Sequence, residues 1–387
     1  MRIAILTTGR QDYGIIRSTV HLLGKSEDFD VALWVGGMHL SPRFGKSIDL
    51  VRADGIVPAR ELDFVSEPPD AVGDTARALN QVADALRDDR PEALLLIGDR
   101  SETLAAGIAA VLVGVPIVHV HGGEESQGAA DNLWRHALTK LSQLHLVSHA
   151  DHAARVLQMG EDPSTVFIVG APGLDNAFRT DLPSKADIER EIGRELSDPL
   201  VIVTVQPAPV GTEPQSEVMA VAAAMERVDA TYLVTQPNAD EGGVVIRDFW
   251  MKWARRRDNV VLVDVLGEAR YWSLLREARV VLGNSSSGII EAPFLGVPVV
   301  NVGDRQKGRM RYGNIADVPI DSDRITGALR DALKAGRQKS PEARYINGPA
   351  APRIADVLRG WHPEKGQHKF FLSAAEPVVA GRRTAKR

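Results

Sequence analysis

The stretch ALLLIGDRSETLAAGIAAVLVGVPIVHV, residues 93–120, decides the fold of this chain. It begins with an apolar run at 93–97, continues through a helix-like segment at 102–113 and ends with a β-branched run at 117–120. Two short apolar runs joined by a helix are typical of a parallel sheet that is covered by helices. The stretch therefore predicts an α/β protein.

The same alternation of strand-like and helix-like segments continues along most of the chain. In the first half, the predicted strands are residues 3–6, 31–35, 93–97, 117–120, 144–147 and 166–169. In the second half, they are residues 200–205, 231–235, 260–263, 280–282 and 299–302. A polar stretch at 180–198 separates the halves and predicts a linker with a surface helix. A chain of 387 residues exceeds one comfortable core, so we expect two Rossmann-like domains with a ligand cleft between them.

Composition excludes several classes of function. The net charge of −5 gives no overall attraction to nucleic acid or to an anionic membrane, and the absence of cysteine excludes disulfides and thiolate chemistry. No apolar run reaches the roughly 18–20 residues that span a bilayer. The N-terminus MRIAILTTGR lacks a full signal-peptide core and a cleavage site, so it predicts a first buried strand and a cytoplasmic protein.

Polar residues follow the predicted strands of the first half, where a parallel sheet places its functional loops. Arg10 follows the first strand and is a candidate phosphate or carboxylate clamp, although a simple turn with a surface arginine is equally compatible. Asp99 follows the third strand and precedes a helix. Capping of that helix is the alternative to a functional role for Asp99.

The segment HVHGGEESQGAADNLWRH, residues 119–136, contains the densest group of candidates. Two glycines let the backbone turn so that Glu124 faces a ligand, and His121 lies beside them. Asp131 and Arg135 lie four residues apart and share one helix face, where they can pair. His119 and His121 on one strand face suggest zinc, but no clear ligand set follows, so we expect no metal and no cofactor. Acids beside basic residues favour proton transfer at a sugar carbon.

Two strand ends in the second half complete the predicted site. Gln206 ends the first strand there, and its neutral amide can bind a ligand or order a loop, but it cannot act as an acid or base near pH 7. In GNSSSG, residues 283–288, a helix begins near Ser286. Hydroxyl and N–H groups at a helix N-terminus form an anion site, although an ordinary serine cap is the alternative. The predicted binding residues of this second group are Ser285, Ser286, Ser287, Gly288, Glu291 and Arg305.

Several longer blocks of sequence resemble one known family. These blocks are GRQDYG, GDRSE, HVHGGE, RHALTKLSQLH, GAPGLDN, QPNADEGG, LGEARYWSLL, GNSSSGIIEAP and NVGDRQKGR. In order and approximate spacing they resemble the hydrolysing UDP-N-acetylglucosamine 2-epimerases, especially the branch that makes N-acetylmannosamine. The resemblance extends from residue 1 to about residue 371.

The resemblance implies an architecture like that of the B-type glycosyltransferases. We expect an N-terminal domain at 1–178 with the catalytic carboxylates and a nucleotide-binding domain at 179–350. A C-terminal helix at 351–371 would cross back to the first domain, and the basic tail at 372–387 is expected to be poorly ordered. Relatives suggest a homodimer whose only other partner is a small nucleotide sugar or sugar phosphate.

Family chemistry implies a role for each predicted residue. A base removes the sugar C2 proton, UDP departs, and water adds to the resulting glycal with the opposite configuration at C2. By motif, Asp99, Glu124 and Asp131 would handle the proton and the water, while Arg10 and Arg135 would stabilise the diphosphate or order the acids. The serines would bind phosphate, and Glu291 would bind the ribose.

One position departs from the family pattern. The block that reads VQPAP here normally carries a catalytic histidine where this chain has Gln206. Three hypotheses follow: epimerisation of a nucleotide sugar by the three carboxylates alone, epimerisation of a different sugar phosphate such as a ketose phosphate through an enediol, or binding without turnover. A glycosyltransferase shares the expected fold, but the acid-rich segment at 122–136 favours local proton chemistry.

Overall fold

The computed structural model describes residues 1–68, 70–125, 131–207, 214–237, 242–263, 266–311, 313–338, 348–363 and 369. The predicted tail at 372–387 lies outside the described residues, and so do residues 208–211, which follow Gln206.

Two parallel sheets form the framework. The seven strands of the first sheet are β1 (Arg2–Thr7), β2 (Asp30–Gly36), β3 (Arg60–Leu62), β4 (Ala93–Ile97), β5 (Ile117–Val120), β6 (Leu144–Val147) and β7 (Val166–Ile168). The six strands of the second sheet are β8 (Leu200–Thr204), β9 (Thr231–Thr235), β10 (Val260–Val263), β11 (Val280–Gly283), β12 (Val299–Val302) and β13 (Ile315–Val318). Their spatial orders are β3-β2-β1-β4-β5-β6-β7 and β10-β9-β8-β11-β12-β13, so each sheet reverses its direction of winding once.

Helices connect the strands and cover both faces of the sheets. The helices around the first sheet are α1 (Arg10–Gly24), α2 (Ile48–Ala53), α3 (Ala71–Asp89), α4 (Ser101–Val113), α5 (Asp131–Leu141) and α6 (Ala150–Gln158). The later helices are α7 (Lys185–Ile192), α8 (Pro214–Met225), α9 (Gly243–Trp253), α10 (Glu268–Glu277), α11 (Ser287–Phe294), α12 (Ser322–Ala335) and α13 (Ala350–Gly360). Among the helices of the described residues, none is long and apolar enough to cross a bilayer.

The predicted α/β class and the two Rossmann-like domains are confirmed. Every predicted strand is present, and α7 lies in the predicted linker, where Ser184 and Asp187 form a capping box. Two edge strands, β3 and β13, were not predicted. Each is three or four residues long and has little buried surface, so neither carries the continuous apolar run that marks a buried strand.

The strand order determines where a ligand lies. In each sheet, the reversal falls between two central strands: β1 and β4 in the first sheet, and β8 and β11 in the second. Ligands of doubly wound sheets bind at the carboxyl ends of the strands beside such a reversal. Asp99 follows β4, and Gln206 follows β8, so the sequence-predicted residues occupy these positions.

The connection between the two domains is fixed by buried polar contacts. The Asp175 carboxylate, in the 3-10 helix Pro172–Phe178, accepts hydrogen bonds from the backbone N–H groups of Ala350 (2.6 Å) and Ala351 (2.8 Å) at the start of α13. Helix α13 then packs on the core of the first sheet through Ile354 and Leu358. Helix α13 therefore lies against the first domain.

Candidate functional site

An arginine organises the carboxylates at the edge of the first sheet. Arg135 lies on α5 with its side chain buried, and its guanidinium contacts the Asp99 carboxylate. It also donates hydrogen bonds to the Glu124 carbonyl oxygen and to Asn132 Oδ1, both at 2.9 Å. We expected Arg135 to pair with Asp131; its described ion pair is with Asp99, and Arg135 also acts on Asp131 through its charge. A buried arginine thus ties together three segments that are distant in sequence.

The turn after β5 orients Glu124. The strand ends at Val120, and His121 has a left-handed backbone conformation with φ of 68°, which is uncommon for a residue other than glycine. His121 Nδ1 lies 2.5 Å from Glu124 Oε1, and the Ser148 hydroxyl donates to the same oxygen at 2.9 Å. One carboxylate oxygen of Glu124 is therefore occupied by two donors.

The two histidines of this segment have separate roles. His119 is buried inside β5, where its ring lies 3.2 Å from the Gly98 carbonyl oxygen and 3.3 Å from Thr139 Oγ1. Burial lowers the pKa of His119 to about 3, so the ring is neutral. Because the strand ends before His121, the expected placement of both rings on one strand face is wrong. No group of three or more His, Asp or Glu side chains suited to a metal occurs within the described part of the chain.

Glu124 and Asp131 differ in the ease with which they hold a proton. Burial opposes ionisation of Glu124, but the His121 ring and the charge of Arg309 hold the pKa of Glu124 well below its usual range. Burial and the nearby charge of Asp99 raise the pKa of Asp131. Two carboxyls whose pKa values are moved in opposite directions are suited to opposite roles, one as a base and the other as an acid.

The facing edge of the second domain is built around Asn284. Its side chain accepts a hydrogen bond from the Gln206 backbone N–H at 2.7 Å and donates to the Gln206 carbonyl oxygen at 2.8 Å. Gln206 is buried, and these two bonds hold its backbone in place directly after the end of β8. Asn284 also donates to Glu217 Oε2 at 3.1 Å, and burial raises the pKa of Glu217 to about 7.

The serines follow directly at the start of α11, as predicted. Ser286 is the N-cap residue and Ser287 is the first residue of the helix. Ser285 Oγ accepts a hydrogen bond from the Ser287 backbone N–H at 3.3 Å, and the Ser287 hydroxyl contacts the hydroxyl of Tyr271. Burial raises the pKa of Glu291, one turn further on, and its Oε2 has no hydrogen bond within the described chain.

The remaining predicted residues lie around this loop or across the cleft. Arg305 donates to the Asn284 carbonyl oxygen at 3.2 Å, which places its guanidinium beside the serine loop. Gly288 allows α11 to approach β12, because a Cβ there would lie 3.0 Å from Val299 Cγ1. Arg10 is the first residue of α1 and is exposed at the carboxyl end of β1.

A cavity of about 180 Å³ lies between the two domains. The first domain contributes His121, Glu124, Ser148 and His152 to its wall, and the second contributes apolar and cationic side chains. Those second-domain residues are Ile289, Ile290, Arg309 and Met310. Glu124 thus shares this cavity with Ile289 and Ile290 of α11, and the charge of Arg309 acts on Glu124 and Asp131 of the first domain and on Glu291 of α11.

Comparisons with known proteins agree with this geometry. The model of a family described as UDP-N-acetylglucosamine 2-epimerase matches residues 21–359. The chain belongs to this family. It is 34% identical over 365 residues to the UDP-N,N'-diacetylbacillosamine 2-epimerase (hydrolyzing) of Legionella pneumophila, covering 92% of this chain and 95% of that protein. It is 31% identical to the GDP/UDP-N,N'-diacetylbacillosamine 2-epimerase (hydrolyzing) of Campylobacter jejuni, covering 83% and 85%.

Solved structures share the fold. The UDP-GlcNAc 2-epimerase of Neisseria meningitidis, solved with UDP-GlcNAc bound, superposes with a TM-score of 0.77 at 16% identity and covers 92% of this chain and 99% of its own. The family membership confirms the prediction of a carbohydrate epimerase with the architecture of the 2-epimerases. The roles of individual residues stay predictions.

Three residues of the candidate site, Ser148, His152 and Tyr271, were not singled out in the sequence. Ser148 and His152 lie four residues apart after β6, and polar residues after a strand were the signal used elsewhere in the chain. Tyr271 lies in the middle of α10, where an aromatic residue is usually part of the core, and nothing in the sequence distinguishes its contact with Ser287.

Proposed function

We propose that this chain is a hydrolysing 2-epimerase that acts on a UDP-linked 2-acetamido sugar and releases UDP. The observation that carries the proposal is that the two domains bring different groups to the cleft: Glu124, whose pKa is lowered, and Asp131, whose pKa is raised, in the first domain, and the serine-rich start of α11 in the second. The charge of Arg309 acts on both of these carboxyls and on Glu291 of α11. Family membership and the activities of the relatives named above support the same substrate class.

The reaction divides into an elimination and an addition. In the elimination, Glu124 takes the C2 proton as the C1–O bond to UDP breaks and a C1–C2 double bond forms. In the addition, the oxygen of water bonds to C1 while Asp131 gives its proton to C2 from the opposite face and takes one proton from the water. The proton held by Glu124 then leaves to solvent with UDP, so both carboxyls return to their starting states. Asp99, tied to Arg135, keeps a negative charge beside Asp131 and so favours its protonated form. The net change is one water consumed and one free 2-epimeric sugar formed with UDP.

The leaving diphosphate binds to the second domain. The hydroxyls of Ser285 and Ser286 and the free N–H groups at the start of α11 bind its oxygens, because the positive end of a helix stabilises an anion. Arg305 adds positive charge beside the loop. Glu291 Oε2, buried and without a hydrogen bond among the described residues, accepts from the ribose diol.

Gln206 decides which domain performs the proton chemistry. Its side chain has no proton to exchange near neutral pH, and we assign both acid–base groups, Glu124 and Asp131, to the first domain. A ketose phosphate epimerase would need the same carboxylates but no departure of UDP. A binding protein or a glycosyltransferase would bind UDP and leave the C2 proton in place.

Turnover in ²H₂O distinguishes these activities. The purified chain is incubated with UDP-N-acetylglucosamine, with UDP-N,N'-diacetylbacillosamine, and with ketose phosphates, and the products are followed by NMR. We expect release of UDP from a UDP-sugar together with one deuterium at C2 of an inverted free sugar. Release of UDP without deuterium at C2 would indicate plain hydrolysis, and epimerisation of a ketose phosphate alone would exclude the proposal.

We also propose that the chain is a homodimer. Helix α4 exposes Ile108 and Leu112 on one face, and Leu133 of the neighbouring α5 is 68% exposed. Large apolar side chains exposed on neighbouring helices are typical of an interface between subunits. Light scattering should give a mass near twice that of the chain, and Leu112→Asp should reduce it to one chain. The cytoplasmic location stays a prediction.

A further inference from the structure

The Ser148 hydroxyl lies between Glu124 and a histidine that the proposed chemistry does not use. Ser148 Oγ is 2.9 Å from Glu124 Oε1 and 2.8 Å from His152 Nδ1, whereas His152 Nδ1 and Glu124 Oε1 are 4.0 Å apart. The histidine therefore reaches the carboxylate through the serine. All three side chains line the cavity between the domains.

The chemistry of the donors fixes the direction of this chain of hydrogen bonds. An ionised carboxylate only accepts, so the Ser148 hydroxyl hydrogen points to Glu124. Ser148 Oγ must then accept from His152 Nδ1–H. Burial lowers the pKa of His152 to about 4, so its ring is neutral near pH 7 and its Nε2 carries a lone pair.

Close packing holds the three residues in place. Ser148 directly follows β6, and His152 lies in the first turn of α6, so the pair bridges the start of that helix. Gly123, in the turn that carries Glu124, has φ of 75°, and a Cβ there would lie 2.3 Å from the His152 carbonyl oxygen. Only glycine allows the Glu124 turn and α6 to approach this closely.

We propose that Ser148 and His152 are positioning residues that hold Glu124 Oε1, so that Oε2 acts on the sugar, and that His152 Nε2 accepts a hydrogen bond from a sugar hydroxyl in the cavity. This proposal rests on the role given to Glu124 in the proposed function. With His121 Nδ1 and Ser148 both on Oε1, the carboxylate cannot rotate freely, and Oε2 is the oxygen left for the C2 proton.

The arrangement differs from that of a serine hydrolase. There, a histidine lies between the serine and the acid and removes the serine proton. Here, the serine lies between the histidine and the acid and gives its hydrogen bond to the carboxylate. Ser148 therefore orients a base and is not itself a nucleophile.

Replacement of His152 with asparagine or with glutamine distinguishes the roles of its two ring nitrogens. The asparagine amide in His152→Asn occupies the place of Nδ1, so it keeps the bond to Ser148 but loses the acceptor at Nε2. We expect kcat within about 2-fold of the wild type and a KM raised about 10-fold. The glutamine amide in His152→Gln occupies the place of Nε2 instead. For this variant, and for Ser148→Ala, we expect kcat to fall about 10-fold with little change in KM. His362→Asn, at an exposed position far from the cavity, is the control.

The pH dependence of kcat provides a further test, because the loss of a purely structural contact would not shift it. The groups that lower the pKa of Glu124 are His121, His152 and Arg309. The other charged or titratable side chains that line the same cavity are Glu125, His149, Asp151 and Arg155. Ser148→Ala removes one donor to the carboxylate, so the acidic limb of the kcat profile should move to higher pH while His121, His152 and Arg309 remain. Full-length variants are compared at equal melting temperature or at a temperature where all are folded.

The outcomes distinguish failure of the positioning role from failure of the proposed function on which it rests. If Glu124→Gln retains wild-type kcat, or no UDP-sugar is turned over, the proposed function fails. If Glu124→Gln is inactive while Ser148→Ala and His152→Gln match the wild type in kcat and pH profile, the positioning role is overturned. Nitrogen-15 NMR of the imidazole provides a test without activity: we expect the Nδ1–H tautomer of His152 at pH 7, and the Nε2–H tautomer would contradict the proposal.

Discussion

The two walls of the cleft are built from different chemistry on the same architecture. The first-domain edge carries the ionisable side chains of Asp99, Glu124 and Asp131, and buried Arg135 pairs with Asp99 and donates to the Glu124 carbonyl oxygen. The second-domain edge carries the neutral side chains of Gln206 and Asn284, followed by three serines, and the Glu217 carboxyl that Asn284 contacts has a pKa raised to about 7. Both edges lie at the reversal of a doubly wound sheet, so strand order alone does not explain the difference.

The contrast assigns proton transfer and anion binding to separate domains. A base must exchange protons, and its neighbours therefore adjust its pKa, as His121 does for Glu124. An anion site works best with donors that stay in one protonation state, and hydroxyl and backbone N–H groups meet that need. If the division holds, substitutions in one wall should change kcat and those in the other should change affinity for UDP.

Replacement of Glu124 should have the largest effect. Glu124→Gln keeps the size of the side chain but removes the base, so we expect kcat to fall by about 10²–10⁴-fold. The Kd for UDP, measured by calorimetry, should stay within about 2-fold of the wild type, because the diphosphate binds the opposite wall. A large loss of UDP affinity in this variant would contradict the separation of the walls.

Gly283→Ala should destabilise the fold of the anion-binding wall, because the added methyl group has no space there. A Cβ at Gly283 would lie 2.0 Å from the Thr204 carbonyl oxygen, and the residue has φ of 130°. We expect a loss of about 3 kcal/mol or more in the free energy of unfolding, measured with denaturant.

Gly327→Ala is the matched control for that substitution. Gly327 lies within α12 with no atom within 4 Å of a Cβ, so alanine should stabilise the helix by about 0.5–1 kcal/mol. Equal effects of the two substitutions would show that the close approach of β11 to β8 imposes no constraint.

The sequence predicted the buried strands and the polar residues at their ends, but not the contacts between residues that are distant in the chain. Buried strands carry apolar runs, so each was found, whereas β3 and β13 were missed because short edge strands lack them. Strand ends revealed Asp99, Glu124 and the serines. The ion pair of Arg135 with Asp99 was not predicted, because residues four apart on a helix suggest a local pair, while a carboxylate distant in sequence reached the same buried guanidinium. Tertiary contacts such as those of Asn284 with the Gln206 backbone leave no local pattern in sequence.

Ser286→Ala tests the affinity side of the comparison. Its hydroxyl has no hydrogen bond to the rest of the described chain, so it is available to a diphosphate oxygen. Loss of one hydrogen bond to a charged group should weaken UDP binding about 10-fold. Ser184→Ala, which removes a cap on the distant α7, is the control and should leave the Kd unchanged. A change in kcat at saturating substrate, without a change in the Kd for UDP, would contradict the assignment of Ser286 to UDP binding.

Glu268→Gln should have the smallest effect and tests how the two walls are joined. Glu268, at the start of α10, accepts a hydrogen bond from Asn176 Nδ2 at 2.7 Å and lies against Gly14 of the first domain. Burial raises the pKa of Glu268 to about 7, so the folded protein binds this proton more tightly than the unfolded chain. The stabilisation is therefore complete below about pH 4.5 and is lost as the pH rises to about 7.

Because glutamine imitates the protonated carboxyl, the variant should match the wild type at pH 4 and be more stable at pH 8. Partial exposure of the carboxyl to water limits the difference to roughly 1 kcal/mol, or a few degrees in melting temperature. The comparison at pH 4 is the internal control, since the glutamate is mainly protonated there in both the folded and the unfolded chain. A difference in melting temperature that is the same at both pH values would mean that this contact between the domains does not depend on a proton.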